Sequence, residues 1–263
     1  MNDQGPVAVK TPDPYRPLAQ PTDSYGEIVA ALAAVQKSNR GAPGYARWVN
    51  RKLGRRCAAL AFRWRRTPNQ VTAVSALFTA VGVVFLAVLR PAWWSGALVA
   101  LLLLIGFALD AADGQLARLR GGGSPAGEWL DHVVDAVKCA TLHLAVLICW
   151  YRYFDLRSAA WLLIPIAFAV QSSVFYFTIM LTEQLRRNAR GLDPTSPPRT
   201  LEAAPVLRSI IVLPADYGFI ALTFILIPWH AVFVVVYTAL MIANYVFSVG
   251  AFRRWYREVA NLR

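Results

Sequence analysis

Charge is scarce in this chain: only 16% of its 263 residues are Asp, Glu, Lys or Arg, and only 15 are acidic. A soluble domain carries about a quarter charged residues, so a water-soluble fold is excluded. Histidine and cysteine are equally thin, at three each. Cys57, Cys139 and Cys149 have no paired spacing, which excludes a disulfide framework and a thiolate metal site and leaves them as reduced apolar fillers. Residues 1–24 lack any apolar core, so no secretory signal is expected there; their polar, Pro-rich composition reads as a disordered tail. Internal repeats are also missing.

Apolar residues are abundant. They make up 57% of the chain, and the mean hydropathy is +0.42. Six apolar stretches, at about 69–89, 95–117, 129–150, 158–182, 206–229 and 231–251, each approach the ~20 residues needed to cross a bilayer. Ahead of them, residues 45–62 set Tyr45, Trp48, Val49, Leu53, Ala58, Leu60 and Phe62 against Arg47, Arg51, Lys52, Arg55 and Arg56. Apolar residues three or four apart with cations on the other face suit a helix lying in the membrane interface. The expected fold is an all-α integral membrane protein: six transmembrane helices preceded by an amphipathic interfacial helix. The expected domains are a tail at 1–24, an interfacial helical region at 25–66, a transmembrane catalytic domain at 67–256 and a cytoplasmic tail at 257–263.

The net charge of +12 and pI of about 10.1 would suit nucleic acid, but the cations lie between apolar spans, where anionic lipid is the fitting partner. One set of connections holds the Arg-rich N-terminal region, Arg118, Arg120, Arg186, Arg187, Arg190, Arg199, Arg253, Arg254, Arg257 and Arg263. The other holds Arg90, Arg152 and Arg157. The richer set is expected in the cytoplasm, with both termini, in a cell-membrane protein. Trp93, Trp94, Trp150, Tyr151, Tyr153 and Trp229 then form an aromatic belt at the outer ends.

Against this background, four carboxylates stand out. Asp110 and Asp113 are three apart and share a helix face; Asp131 and Asp135 are four apart and share a face of the next span. GGGSPAG, at 121–127, makes a tight reversal between them, so an antiparallel hairpin should bring all four together. A carboxylate at membrane depth costs ~2.5 kcal/mol or more. Lys138 and Arg118 offer at most two positive charges nearby, and divalent metals supply more. An all-oxygen set selects Mg2+ or Mn2+ over zinc, and two such ions form a clamp suited to phosphoryl chemistry. Gly114 and Gly127 let backbones or a flat ligand approach closely. Arg118 could hold a diphosphate or snorkel to the interface.

The segment from Asp110 to Asp135 reads D-x2-D-G-x2-A-R-x8-G-x3-D-x3-D. It resembles the signature of the CDP-alcohol phosphotransferase (CDP-alcohol phosphatidyltransferase) family. T-P-N-Q-V-T at 67–72, opening the first span, is similar too, and the resemblance covers about 40–256. It implies metal ligation by Asp110, Asp113 and Asp131, with Asp135 as general base and also a ligand. Contacts to the cytidine diphosphate are implied for Gly114, Ala117, Arg118 and Ser124, with Thr67, Pro68, Asn69 and Gln70 closing over the nucleotide. A CDP-linked lipid donor, a small alcohol acceptor and a homodimer are likewise implied.

The acceptor stays open. Arg186, Arg187, Arg190 and Arg208 could bind the phosphate of inositol phosphate or glycerol phosphate, or simply anchor the cytoplasmic face. The R-x-R-G-G-G-S loop at 118–124 resembles bacterial phosphatidylinositol-phosphate synthases, whereas LPADYG at 213–218 departs from their acceptor pocket. A non-phosphorylated acceptor such as serine is the alternative. A transporter using intramembrane aspartates would need its charges spread through the bilayer depth.

Overall fold

In lipid a backbone must satisfy its own hydrogen bonds, and long apolar segments do so as helices. In a computed structural model describing residues 19–36, 43–189, 191, 209 and 212–262, the described residues contain helices and no strand. In chain order the helices are α1 (Tyr25–Ala34), α2 (Arg51–Arg63), α3 (Pro68–Val88), α4 (Trp93–Leu119), α5 (Pro125–Tyr153), α6 (Leu163–Ala189), α7 (Tyr217–Thr223) and α8 (His230–Ala260). A π turn at Ala46–Asn50 leads into α2, and a 3-10 turn at Ala159–Leu162 leads into α6.

Five of these segments are long and apolar enough to cross a membrane: Pro68–Val88, Trp93–Leu119, Pro125–Tyr153, Ala159–Ala189 and His230–Ala260. The stretch expected to be the fifth of six spans, 206–229, has a different form where it is described. A 3-10 turn at Leu213–Ala215, the seven-residue α7 and a second 3-10 turn at Phe224–Leu226 replace one long helix. The cause is local. Pro214 has no N–H to donate, and Asp216 caps α7, its Oδ1 accepting from Gly218 N at 3.0 Å. Its Oδ2 accepts from Ala46 N at 2.8 Å, which ties the α7 start to the π turn. Arg190, Arg199, Arg208, Arg263 and the tail at 1–18 lie outside the described residues.

Helix directions follow from their contacts. Ser75 Oγ on α3 donates to Gly106 O on α4 (2.8 Å), and Gly106 leaves room for Thr79, so α3 and α4 pack closely and antiparallel. The start of α3 meets the start of α5 at Asn69 and Gly127, and Tyr153 at the end of α5 donates to Val88 O. Those two helices are therefore parallel. Tyr245 donates to Ala167 O (2.8 Å), Gln171 Nε2 donates to Ser248 Oγ (2.8 Å), and Arg186 pairs with Glu258, which makes α6 and α8 parallel.

Among the described residues α4 and α5, though joined by one short loop, do not pack closely on each other; both lie on α3. The expected hairpin is thus an open one. Its gap faces the end of the bundle that carries Thr67, Ser124 and Arg186.

Two buried clusters hold the rest. One is aromatic, centred on Trp150, Phe168, Phe224, Phe233 and Tyr237. The other joins Ile28 and Leu32 of α1 to Ala58 and Phe62 of α2 and to Ala112 and Leu116 of α4. No disulfide joins Cys57, Cys139 and Cys149.

Candidate active site

Thr67 and Gln70 form a capping box: Gln70 N donates to Thr67 Oγ1 (3.2 Å) and Thr67 N to Gln70 Oε1 (3.1 Å), with Pro68 at the first helical position. The cap places Asn69 against the opposite helix start, where a Cβ added to Gly127 would lie 2.9 Å from Asn69 Oδ1. Ser124 caps α5 by accepting from Gly127 N at 3.1 Å. The loop before it turns through Gly121 (φ 95°) and Gly122 (φ 132°), conformations that favour glycine. Ala117 supports the turn by accepting from Gly122 N at 3.0 Å.

Three of the four aspartates converge. Asp110, Asp131 and Asp135 present oxygens that all lie within 4.8 Å of one another. Asp113, only 6% exposed, faces α3 instead: Thr72 donates to its Oδ2 at 2.5 Å. It remains close enough to Asp110 and Asp131 to feel both charges.

From the sequence, Lys138 counted only as one nearby positive charge, with no assigned partner. The structure puts its Nζ 2.6 Å from Asp110 Oδ1 and 2.8 Å from Asp135 Oδ1, with the side chain only 7% exposed. Lysine three residues after Asp135 on a helix was the available signal, but the partner on α4 depends on how far the hairpin opens.

Arg118 reaches over Gly114, where an added Cβ would lie 3.3 Å from its Nη1, and its Nε donates to Val35 O at 3.0 Å. Beside it, Gln36 Nε2 donates to Gln115 Oε1 (2.5 Å), and Gln115 Nε2 donates to Arg51 O (3.2 Å). The chain just beyond α1 therefore abuts the Gly114–Arg118 face, a placement that no motif announced.

Arg186 and Arg187, read as an acceptor-phosphate pair, are engaged with acids: Arg186 with Glu258, and Arg187 Nη1 with Glu128 Oε1 at 2.8 Å. Both also approach Glu183, at 3.7 and 3.6 Å.

The donor chemistry suits a hard divalent metal. Three half-buried carboxylates offer oxygens alone, close enough to share one small cation, and the cluster already holds an ammonium tightly. Asp110, Asp131 and Asp135 could hold metal directly, and Asp113 could join by releasing Thr72. Such a cluster at the end of an open helical hairpin defines the class: a membrane-embedded helical protein with an acidic, metal-competent site. Comparison with known families narrows this class. The sequence model of CDP-alcohol phosphatidyltransferases matches residues 65–250, which takes in the whole aspartate motif, four of the five long apolar helices and most of the fifth. The chain belongs to that family. It is 28% identical over 141 residues to a phosphatidylinositol phosphate synthase of Mycolicibacterium smegmatis (strain ATCC 700084 / mc(2)155), a match covering 54% of this chain and 59% of that relative.

Proposed function

We propose that the protein moves a phosphatidyl-type group from a CDP-linked lipid, such as CDP-diacylglycerol, to the hydroxyl of a small phosphorylated alcohol, with release of CMP. The observation that carries this is the convergence of Asp110, Asp131 and Asp135 within 4.8 Å, with Gly114 and Arg118 further along the same helix as Asp110. The acceptor is taken as inositol phosphate or glycerol phosphate in type. The relative's name and the Arg186–Arg187 pair both favour a phosphate-bearing one.

The donor's acyl chains lie in the bilayer and its head enters the gap between α4 and α5. Gly114 and Ala117 leave room for the nucleotide, and Arg118 turns from Val35 O to the diphosphate. Asn69 and Gly127 close the far wall, while Thr67, Pro68, Gln70 and Ser124 hold the two helix starts that frame it. Asp135 accepts the proton of the acceptor hydroxyl as that oxygen bonds to the lipid-side phosphorus and the bond to the CMP oxygen breaks. Mg2+ or Mn2+, two ions that Asp110, Asp113, Asp131 and Asp135 would hold, would supply charge stabilisation to the donor's diphosphate and to the CMP that leaves. Arg186 and Arg187 exchange Glu258 and Glu128 for the acceptor phosphate.

Six crossings complete the topology, with 206–229 as the fifth. Two parallel spans, α6 and α8, need a return crossing between them. The α2 region lies in the cytoplasmic interface of the cell membrane; Trp48, Leu53, Leu60 and Trp64 are exposed apolar side chains there. Both termini face the cytoplasm, and the protein acts as a homodimer.

The test is CMP release by purified protein given CDP-diacylglycerol and a panel of acceptors. Release that requires a phosphorylated alcohol supports the proposal. Equal or greater release with serine or another unphosphorylated alcohol selects the alternative acceptor, and none with any acceptor rejects the transferase reading.

A further inference from the structure

Lys138 is a costly residue to place where it is. A lysine side chain loses much rotamer freedom on burial, and its charge loses hydration. Nothing in the hairpin's packing asks for it: its neighbours Val137 and Ala136 are exposed, and an apolar side chain would fill the same space. What it does instead is join α4 to α5. Its ammonium bridges Asp110 and Asp135, residues on two helices that do not otherwise pack closely, and so spans the gap in which the donor's head would sit. Asp110 and Asp135 are also two of the three carboxylates that converge as a cation site.

Resting on the transferase function proposed above, we infer that Lys138 is a positioning residue that sets the metal affinity of the aspartate cluster. Its ammonium serves as the resident counter-cation. It holds Asp110 and Asp135 at the spacing a metal needs, and it competes with the metal for their oxygens. Three features of the side chain fit this task. An ammonium is a compact point charge with three donors and so can satisfy two carboxylates at once. Its flexible stem lets it withdraw from one oxygen while keeping another. Being covalently attached, it neutralises the pocket whatever the metal supply. A metal entering the cluster must displace it from at least one oxygen, so loading is weaker than four bare carboxylates would give. In exchange the pocket keeps its shape between turnovers.

The experiment is a Mn2+ titration of purified, EDTA-stripped protein in nanodiscs, followed by electron paramagnetic resonance of the free ion. Wild type, Lys138→Met, Lys138→Arg and Asp110→Asn are compared. Lys138→Met should bind Mn2+ at least about tenfold more tightly than wild type, because a like charge a few ångströms away in a half-buried site opposes binding by that order or more. Lys138→Arg, which keeps the charge, should stay near wild type, and Asp110→Asn should bind more weakly. Thermal unfolding in EDTA should fall for Lys138→Met and recover with Mn2+ by more than wild type gains. A purely structural lysine would lower the unfolding temperature without raising metal affinity. Lys138→Met affinity equal to or below wild type, with wild type binding well, overturns the role of Lys138 and leaves the transferase site standing. Absence of Mn2+ binding in every form overturns the metal site, and this inference with it. If Lys138→Met does not fold, Lys138→Gln, which keeps the length and loses the charge, carries the same comparison.

Discussion

The two ends of α5 are built on opposite principles. Its first half carries Asp131, Asp135 and Lys138 into a gap that neighbouring helices leave open. Its second half carries His143, Val146, Cys149 and Trp150 into the buried aromatic cluster. There His143 stacks on Phe168 with ring centroids 3.9 Å apart, its Nδ1 lies 2.7 Å from the Tyr237 hydroxyl, and Trp150 meets Tyr237 edge-on at 5.5 Å. The aromatic end is apolar, with its His143–Tyr237 pair satisfied internally. The acidic end holds more like charge than packing can stabilise and depends on counter-cations. One continuous helix can do both, because a rigid, well-packed end fixes the direction of a loosely packed one.

Removing metal should break the comparison most sharply. Excess EDTA is expected to abolish CMP release and Mg2+ or Mn2+ to restore it, while near-ultraviolet circular dichroism from the aromatic end stays unchanged. Activity that survives EDTA would show that the acidic end works without metal.

Asp135→Asn should lower turnover by about 10²–10⁴-fold, the usual share of a general base. Binding of CDP-diacylglycerol, measured by protection against thermal unfolding, should remain. A rate within tenfold of wild type would assign the proton to another group.

Trp150→Ala probes the other end. It should destabilise the protein by ~3–5 kcal/mol, as large-to-small changes in a filled core do. Mn2+ affinity should hardly change, since the cost falls on packing. A parallel loss of metal binding would mean the two ends are coupled more tightly than their separation suggests.

Thr72→Val is a smaller test. Losing the hydroxyl that holds Asp113 should change Mn2+ affinity by about 10–100-fold, as loss of a ligand's outer partner does. An unchanged titration would leave Asp113 outside the cation site.

The smallest effect is expected for the Arg186→Ala, Arg187→Ala double variant. The KM for a phosphorylated acceptor should rise about tenfold, on the order of one lost charged contact, with little change for CDP-diacylglycerol. If both KM values hold steady, the arginines serve only Glu258, Glu128 and the membrane surface.

Much of the active end was legible because its signals are local. Asp110 and Asp113, or Asp131 and Asp135, share faces by helical period alone. Thr67 with Gln70, and Ser124 before Pro125, announce helix starts by their own chemistry. The features that escaped depend on the angles between helices. Lys138 and Asp110 are 28 residues apart, and the pairing of Arg186 with Glu258 requires α6 and α8 to run side by side. The docking of α1 on Leu116 required knowing which apolar faces meet. The break at 213–216 was written in Pro214 and Asp216, yet the surrounding apolar run masked it, because hydropathy averages over a window wider than a helix cap.

By composition and period alone, the chain was bound to be an all-α membrane protein with its carboxylates gathered at one end of a helical turn. Lipid forces long apolar segments into helices, and helical geometry forces residues three or four apart onto one face. How far α4 and α5 open, which cation fills the gap, and which of the four aspartates turns to Thr72 were decided only in the tertiary structure. Those outcomes come from packing and electrostatic contacts between distant segments, which the order of residues along one helix does not specify.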